Sequence, residues 1–289
     1  MNDATVVRVP ASSANLGAGF DVLGMALDLH LDVGIGDAPA DAQAIDRQHP
    51  TARAFAALGA TPEPNPPMWV RTSIPMGRGL GFSGAARVGG AALAALVGSD
   101  EPAAALLGAR DAVLDVAVAL EGHGDNAAAS VFGGVVAWVD GRGIPLRVGP
   151  NLASASVVVW IPDLTTSTDR SRGALPDVVT RADAVHNLGR VAQFVLAIEH
   201  DDPSLLAGAT DDRLHQTARL PEVPGAAAAL ETGIAAGAWC GWLSGSGPTV
   251  AFLADARLAD AMIASLSETG HVKHLHIPSR GAHVLAAPE

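Results

Sequence analysis

Lysine is nearly missing from this chain of 289 residues: Lys273 stands alone among eighteen basic residues, and the other seventeen are arginine. A Walker phosphate loop ends in Gly-Lys-Ser/Thr, and the one lysine sits in His-Val-Lys-His near the C-terminus, so Walker-type NTPase machinery is excluded. Protein-kinase machinery, which needs an early strand lysine, is excluded on the same ground. A single cysteine, Cys240, cannot make an internal disulfide, a multi-cysteine zinc site or an iron–sulfur cluster. Tyrosine is absent, which excludes no class of function. Positive charge must therefore come from guanidinium groups, which favour bidentate contact with carboxylate or phosphate. Positive charge is also in deficit: the formal net charge is −12, a field that repels nucleic acid and acidic membranes, so neither is an expected partner. The longest apolar runs, Gly89–Gly98 and Gly133–Val139, are too short or too broken by glycine to cross a bilayer of roughly 30 Å. Met1–Pro10 shows no basic stretch followed by an apolar core, and a lone cysteine is compatible with a reducing cytoplasm, the expected location.

What is present is an irregular alternation of helices and strands. Thr5–Val9 reads as a strand running into a turn-rich stretch, Pro10–Asp21. Leu27–Ile35 alternates strictly, as a half-buried strand does. Met68–Ser73 is a strand that enters a glycine-rich loop, followed by an alanine-rich helix to about Val97. Val135–Val139 and Val157–Ile161 are apolar strands, Thr180 caps a long helix to about Glu199, and Val250–Leu253 is a late strand. The pattern indicates an α+β fold in two lobes, residues 1–150 and 151–289, with the seam near Pro145–Ala155.

Three segments carry chemistry. In Gly77-Arg-Gly79-Leu-Gly81-Phe-Ser83-Gly84, alternating glycines let the backbone approach a ligand and turn N–H groups inward, and the following helix adds partial positive charge. Such a cradle needs no lysine; Ser83 either offers its hydroxyl to Mg²⁺ or caps the helix. Glu121-Gly-His123-Gly-Asp125-Asn126 gathers four polar groups in six residues at a helix end, either a solvated turn or part of a site. Upstream, Asp115 shares a helix face with Asp111, a solvated face or a carboxylate directed at magnesium. Ser244–Thr249 is a second glycine-serine turn. Arg190 and Arg219, flanked by polar groups, are surface residues or ligand clamps, and Cys240 between two tryptophans reads as a buried, inert thiol.

In this order the segments resemble the GHMP small-molecule kinase superfamily. Pro10–Gly24, Ile74–Arg87 and Leu243–Val250 look like its three general motifs. Glu121–Asn126, Arg181–Arg190 and Leu214-His-Gln with Arg219 resemble the homoserine kinase family within it. The resemblance covers nearly the whole chain. It implies an N-terminal lobe like the second domain of ribosomal protein S5, a ferredoxin-like C-terminal lobe, and relatives that are often dimers. By the same resemblance ATP contacts Pro75, Gly77, Arg78, Gly79, Leu80, Gly81, Phe82, Ser83 and Gly84. L-homoserine contacts Asn15, Asp21, His123, Arg190 and Arg219, and Mg²⁺ is held by Ser83 and Asp115.

Three positions depart from the family pattern. Phe82 replaces a serine and is expected to reshape the nucleotide pocket, Gly124 replaces a proline and is expected to loosen its turn, and Asp115 stands for a glutamate one methylene longer. The segment 36–50 matches no nucleotide-pocket motif. Asn126 is expected to orient the substrate hydroxyl while a phosphate oxygen takes its proton; an alternative alignment makes Asp125 the base. The other readings left open are a GHMP kinase for threonine, shikimate or mevalonate, and a metabolite sensor on the same scaffold.

Overall fold

The computed structural model of the protein describes residues 5–59, 67–166, 168–173, 175–267 and 270–285. Strand β1 (Val7–Ala14) pairs antiparallel with β2 (Leu23–Ile35). β1 continues to Ala14, through residues whose small, turn-prone side chains suggest a loop. Pro10 has no N–H to give a ladder, and the register with β2 shifts between Pro10 and Ala11, which accommodates it. Past that irregularity every residue to Ala14 is buried, so the small side chains serve close packing.

Beyond β2 lie β3 (Gln43–Ala44), helix α1 (Pro50–Ala57) and β4 (Met68–Thr72), which extends the sheet in the order β1-β2-β4-β3. Most of β2 is buried on both faces, not one as its alternation suggests. Asp32 accounts for part of the difference. It is 3% exposed, and Arg8 of β1 and Arg71 of β4 each reach it at 2.7 Å. Burial alone would raise the Asp32 pKa, but hydrogen bonds from the two arginines outweigh it and hold the carboxyl below its ordinary value. A polar residue in the alternation is thus buried without being left unpaired.

Helices α2 (Phe82–Ala95), α3 (Pro102–Gly108), α4 (Arg110–Glu121) and α5 (Asp125–Phe132) follow, then the hairpin β5 (Val135–Val139) and β6 (Arg142–Leu146), in which β5 also pairs with β2. After the short helix α6 (Pro150–Ala153) a second sheet begins with β7 (Ser156–Ile161). Helices α7 (Thr168–Gly173), α8 (Arg181–His200), α9 (Gln216–Arg219) and α10 (Ala226–Ala235) come before β8 (Cys240–Leu243) and β9 (Val250–Ala254). Helix α11 (Ala259–Leu266) and β10 (His271–Leu275) complete a sheet ordered β10-β7-β9-β8. The expected cap of α8 is present: the Thr180 hydroxyl accepts from the Asp183 N–H at 3.1 Å.

The architecture is α+β in two sheets, with the change of sheet between Leu146 and Ser156. One face of the second sheet packs Trp160 and Phe252 against α10 and α11. Its other face, with Val157, Val159 and Trp242, joins the core of the first sheet together with Phe194 of α8. The C-terminal segment also departs from a clean division into residues 1–150 and 151–289: β11 (His283–Val284) returns to pair with β1. No helix among the described residues is long and apolar enough to cross a membrane.

Candidate active site

The glycine loop after β4 is a backbone cradle. Gly77, Gly79 and Gly81 take left-handed φ values of 65°, 72° and 72°, with non-glycine residues between them. Gly81 is the N-cap of α2 and gives no side-chain cap. The first intrahelical bond runs from Ala85 N to Gly81 O, so the N–H groups at the start of this 14-residue helix remain for a ligand. Phe82 is the first helical residue, which excludes the capping role considered for Ser83. The loop is also gripped from behind. A Cβ on Gly81 would stand 2.1 Å from Ser12 Oγ, and one on Gly79 would stand 2.4 Å from the Ser244 carbonyl. Ser244 Oγ donates to the Gly79 carbonyl at 2.6 Å and meets Ser13 Oγ at 2.7 Å, so the three glycine-serine motifs of the sequence pack as one block. Phe82 sets its ring edge-on to His49, the N-cap of α1, at 6.2 Å.

Beside the cradle, α4 ends at Glu121 and α5 begins at Asp125. Asp125 is 1% exposed; its Oδ1 accepts from the Asn126 N–H at 2.8 Å and meets His123 Nδ1 at 2.9 Å. Asn126 Oδ1 accepts from Ser12 Oγ at 2.9 Å, which leaves its amide nitrogen as the donor on the cleft side. Burial works against a charged His123, yet the hydrogen bond and charge of Asp125, with Glu121 and Asp21 nearby, raise its pKa above the ordinary value. Gly124 does not loosen this turn. The Trp138 ring lies where a side chain would go, 2.3 Å from an added Cβ, so glycine here makes room for the indole.

The metal-directed pair expected from sequence is only half assembled. Ser83 lines the cleft, but Asp115 is exposed on α4 and takes no part in the lining. Glu121, about one and two-thirds turns further along the same helix, is the carboxylate that arrives: its Oε2 accepts from Ser83 Oγ at 3.1 Å. Arg87 of α2 contacts both groups.

The far end of the cleft is made of side chains. Asn15 donates to the Gly245 carbonyl at 2.8 Å and accepts from the Asp21 N–H at 3.0 Å, so its amide fixes the loop that carries Asp21. The Asp21 carboxylate is held by Arg172 of α7 in a bidentate pair, 2.7 and 2.8 Å. Arg172 and Arg219 both lie over the Phe20 ring, 5.5 and 5.3 Å from its centroid. Arg219 is 4% exposed, and its hydrogen bonds go to neutral acceptors, the Ser171 carbonyl at 3.2 Å and His215 Nδ1 at 3.3 Å. Burial lowers the His215 pKa; Nε2 donates to the Gly17 carbonyl at 2.8 Å, so the neutral ring presents Nδ1 as an acceptor to Arg219.

Arg190, expected beside Arg219, is elsewhere. Its Nη1 donates to Gln193 of the same helix at 2.9 Å, it faces Gly208, and it does not line the cleft. Within the run Arg181–Arg190 it is Asn187 that serves the site's frame, donating to Asp212 at 2.7 Å, and Asp212 in turn accepts from the His215 N–H at 2.8 Å. Arg172 and Glu121 are therefore among the residues that reading the sequence missed, with Phe20 and Arg87. Glu121 had a signal, since it opens the polar run that ends at Asn126. Arg172 pairs with a residue 151 positions away, a distance over which one sequence gives no pairing information.

The cleft so bounded spans about 720 Å³ between its walls, part of it open to solvent. One wall comes from the first sheet's loops and helices, the other from Thr166, Arg172, Arg219 and the Gly245–Ser246 turn.

Comparison with known proteins is consistent along the chain. Residues 194–272 match the family described as GHMP kinases C terminal. Homoserine kinase from Thermus thermophilus is 40% identical over 278 residues, 92% of each chain, and homoserine kinase from Moorella thermoacetica is 39% identical, covering 97% of this chain and 99% of that one. Among solved structures, homoserine kinase from Cytophaga hutchinsonii superposes with a TM-score of 0.79 at 24% identity, covering 99% of this chain and 98% of that one. The Methanococcus jannaschii mevalonate kinase superposes with a TM-score of 0.67 at 13% identity over 96% of this chain and 99% of that one.

Proposed function

The chain belongs to the homoserine kinase family of the GHMP kinases, and from that premise we infer how its cleft carries ATP-dependent phosphoryl transfer to the hydroxyl of L-homoserine. The observation that carries the reading is the pairing of opposites at one end of the cleft with a backbone cradle at the other. Asp21, Arg172 and Arg219 surround Phe20, and the uncapped N-terminus of α2 faces the same space. Homoserine is a zwitterion. Asp21 takes its ammonium, Arg219 and Arg172 fork onto its carboxylate, and Phe20 supports the methylenes between. Bound in that sense, the substrate inserts into the Asp21–Arg172 pair and satisfies both partners.

The hydroxyl end then falls beside His123 and Asn126, with the triphosphate on Gly77–Gly84. Phosphoryl transfer depends chiefly on position and charge neutralisation. The amide nitrogen of Asn126 orients the hydroxyl oxygen, which forms its bond to the γ-phosphorus as the bond to the β-phosphate oxygen breaks. The hydroxyl proton passes to a phosphoryl oxygen. Asp125, buried and occupied by His123 and its own helix, holds the imidazole in place and takes no proton. The oxygens of Ser83 and Glu121, converging at 3.1 Å beside the cradle, are hard donors that fit Mg²⁺. That ion, when bound, neutralises phosphate charge. We place the reaction in the cytoplasm, where ATP is supplied.

The test is ADP release by the purified protein with homoserine, threonine, shikimate and mevalonate offered in turn. Turnover is expected with homoserine; turnover of another acceptor in the absence of any with homoserine would overturn the substrate assignment.

A further inference from the structure

Arg87 has no part in the roles above, yet it sits among them. It lies one turn past Ser83 on α2, the spacing that places two side chains on one helical face. Its guanidinium contacts Ser83 Oγ and Glu121 Oε2 together. The Arg87 and Glu121 side chains are only 18% and 11% exposed, so this is an enclosed ion pair. The oxygens it holds are the two assigned to the metal. A carboxylate oxygen bonded to a guanidinium is not free to coordinate a second cation at full strength. Leaving Glu121 with only the Ser83 hydroxyl and the His123 ring 4.0 Å away would be costly too, because Asp125 and the Asp21 carboxylate stand in the same cleft.

We propose that Arg87 is a tethered cation that holds the Ser83–Glu121 pair in the free enzyme and must be displaced for Mg²⁺ to enter. The proposal rests on the assignment of Ser83 and Glu121 to the metal. It makes metal binding an exchange of one cation for another, a singly charged guanidinium for a doubly charged ion. A ligand that binds only the displaced state has its apparent affinity reduced by the displaced fraction. If the guanidinium is off Glu121 in one molecule in ten, removing it tightens metal binding roughly tenfold.

The experiment titrates Mn²⁺ into protein saturated with a non-hydrolysable ATP analogue and reads free Mn²⁺ by electron paramagnetic resonance. Thermal midpoints are measured in parallel, in chelator and in Mn²⁺. Arg87→Met is expected to bind Mn²⁺ roughly tenfold more tightly than the parent, and Glu121→Gln to bind it more weakly. Arg87→Met should melt lower in chelator and gain more from Mn²⁺, because its Glu121 has lost the guanidinium and has an oxygen open to a cation. A purely structural Arg87 would lower the midpoint in chelator without tightening Mn²⁺. Weaker binding in Glu121→Gln with unchanged affinity in Arg87→Met overturns the exchange while leaving the metal assignment intact. No change in Glu121→Gln overturns the assignment and the exchange with it. Arg87→Lys, which keeps the charge and loses the fork, should fall between parent and Arg87→Met, and it carries the test if Arg87→Met does not fold.

Discussion

At one end of the cleft Gly77, Gly79 and Gly81 offer main chain; at the other Asp21, Arg172 and Arg219 offer side chains brought from three separate stretches of sequence. The main-chain end is fixed by geometry that only glycine satisfies, since left-handed φ coincides there with contacts from Ser12 and Ser244. A backbone cradle suits a ligand common to many kinases, because it reads phosphate and little else. The side-chain end is assembled from groups that can change one at a time, and under the proposed function it is the end that selects the hydroxy compound. A backbone end should therefore fail as a whole when perturbed, and a side-chain end by degrees.

The largest expected effect tests the cradle. In Gly81→Ala a Cβ enters at φ 72° and 2.1 Å from Ser12 Oγ. Left-handed strain and overpacking together cost about 2–4 kcal/mol. kcat/KM for ATP should fall more than ~100-fold, since the start of α2 must shift. A variant with near-normal ATP kinetics would show that the cradle yields more than its packing implies.

Next comes Arg219→Met. Losing a buried charge that forks onto a carboxylate should cost about 2–5 kcal/mol of substrate binding. KM for homoserine should rise about thirtyfold or more, with kcat changed much less. Arg219→Lys should recover little of it, because an ammonium lacks the fork. Equal loss in kcat would move Arg219 from holding the substrate to acting on the transition state.

Asp125→Asn distinguishes the two alignments of the Asp-Asn pair. With a phosphoryl oxygen as proton acceptor, kcat should fall about tenfold, through disturbed orientation of His123. A loss approaching the ~10⁴-fold limit of general base catalysis with intact binding would make Asp125 the base.

The fourth effect is smaller and depends on pH. The raised His123 pKa means that its stabilising charge is fully present below the ordinary imidazole value of 6.5 and is lost as pH climbs through the higher folded value. The difference in thermal midpoint between parent and His123→Gln should therefore shrink as pH rises from 6 past neutrality. A constant difference would mean that the imidazole is held for its shape alone.

The smallest effect should be none. Cys240 is fully enclosed, and burial pushes its thiol pKa up to about 12. Folded enzyme treated with iodoacetamide at pH 8 should keep its activity and its unmodified mass.

The legibility of the sequence followed the same division. Contiguous features read well: the glycine loop, the Thr180 cap, the strands Val135–Val139 and Val250–Ala254, and the polar run Glu121–Asn126 all stand where local pattern places them. Features that depend on distant parts did not. Asp32 reads as an exposed position in an alternating strand until Arg8 and Arg71 arrive from its two neighbours. Asp115 shares its helix with Glu121, and only the packing of α4 on α2 shows which carboxylate faces Ser83. Arg190 and Arg172 are alike as residues; the path of the chain between β7 and α8 brings one to Asp21 and leaves the other with Gln193.

The return of the chain to the first sheet bears on how the enzyme is made. β11 is made about 270 residues after β1, the strand it pairs with, roughly 15–55 s later at ordinary rates of synthesis. On its way β11's segment ties down the far end of α5: Ala282 N donates to the Ser130 carbonyl and Gly134 N to the Pro278 carbonyl, both at 2.8 Å. That is the helix whose first residues are Asp125 and Asn126. A chain released before Pro278 would carry the glycine cradle but lack both bonds that hold the far end of the helix bearing Asp125 and Asn126.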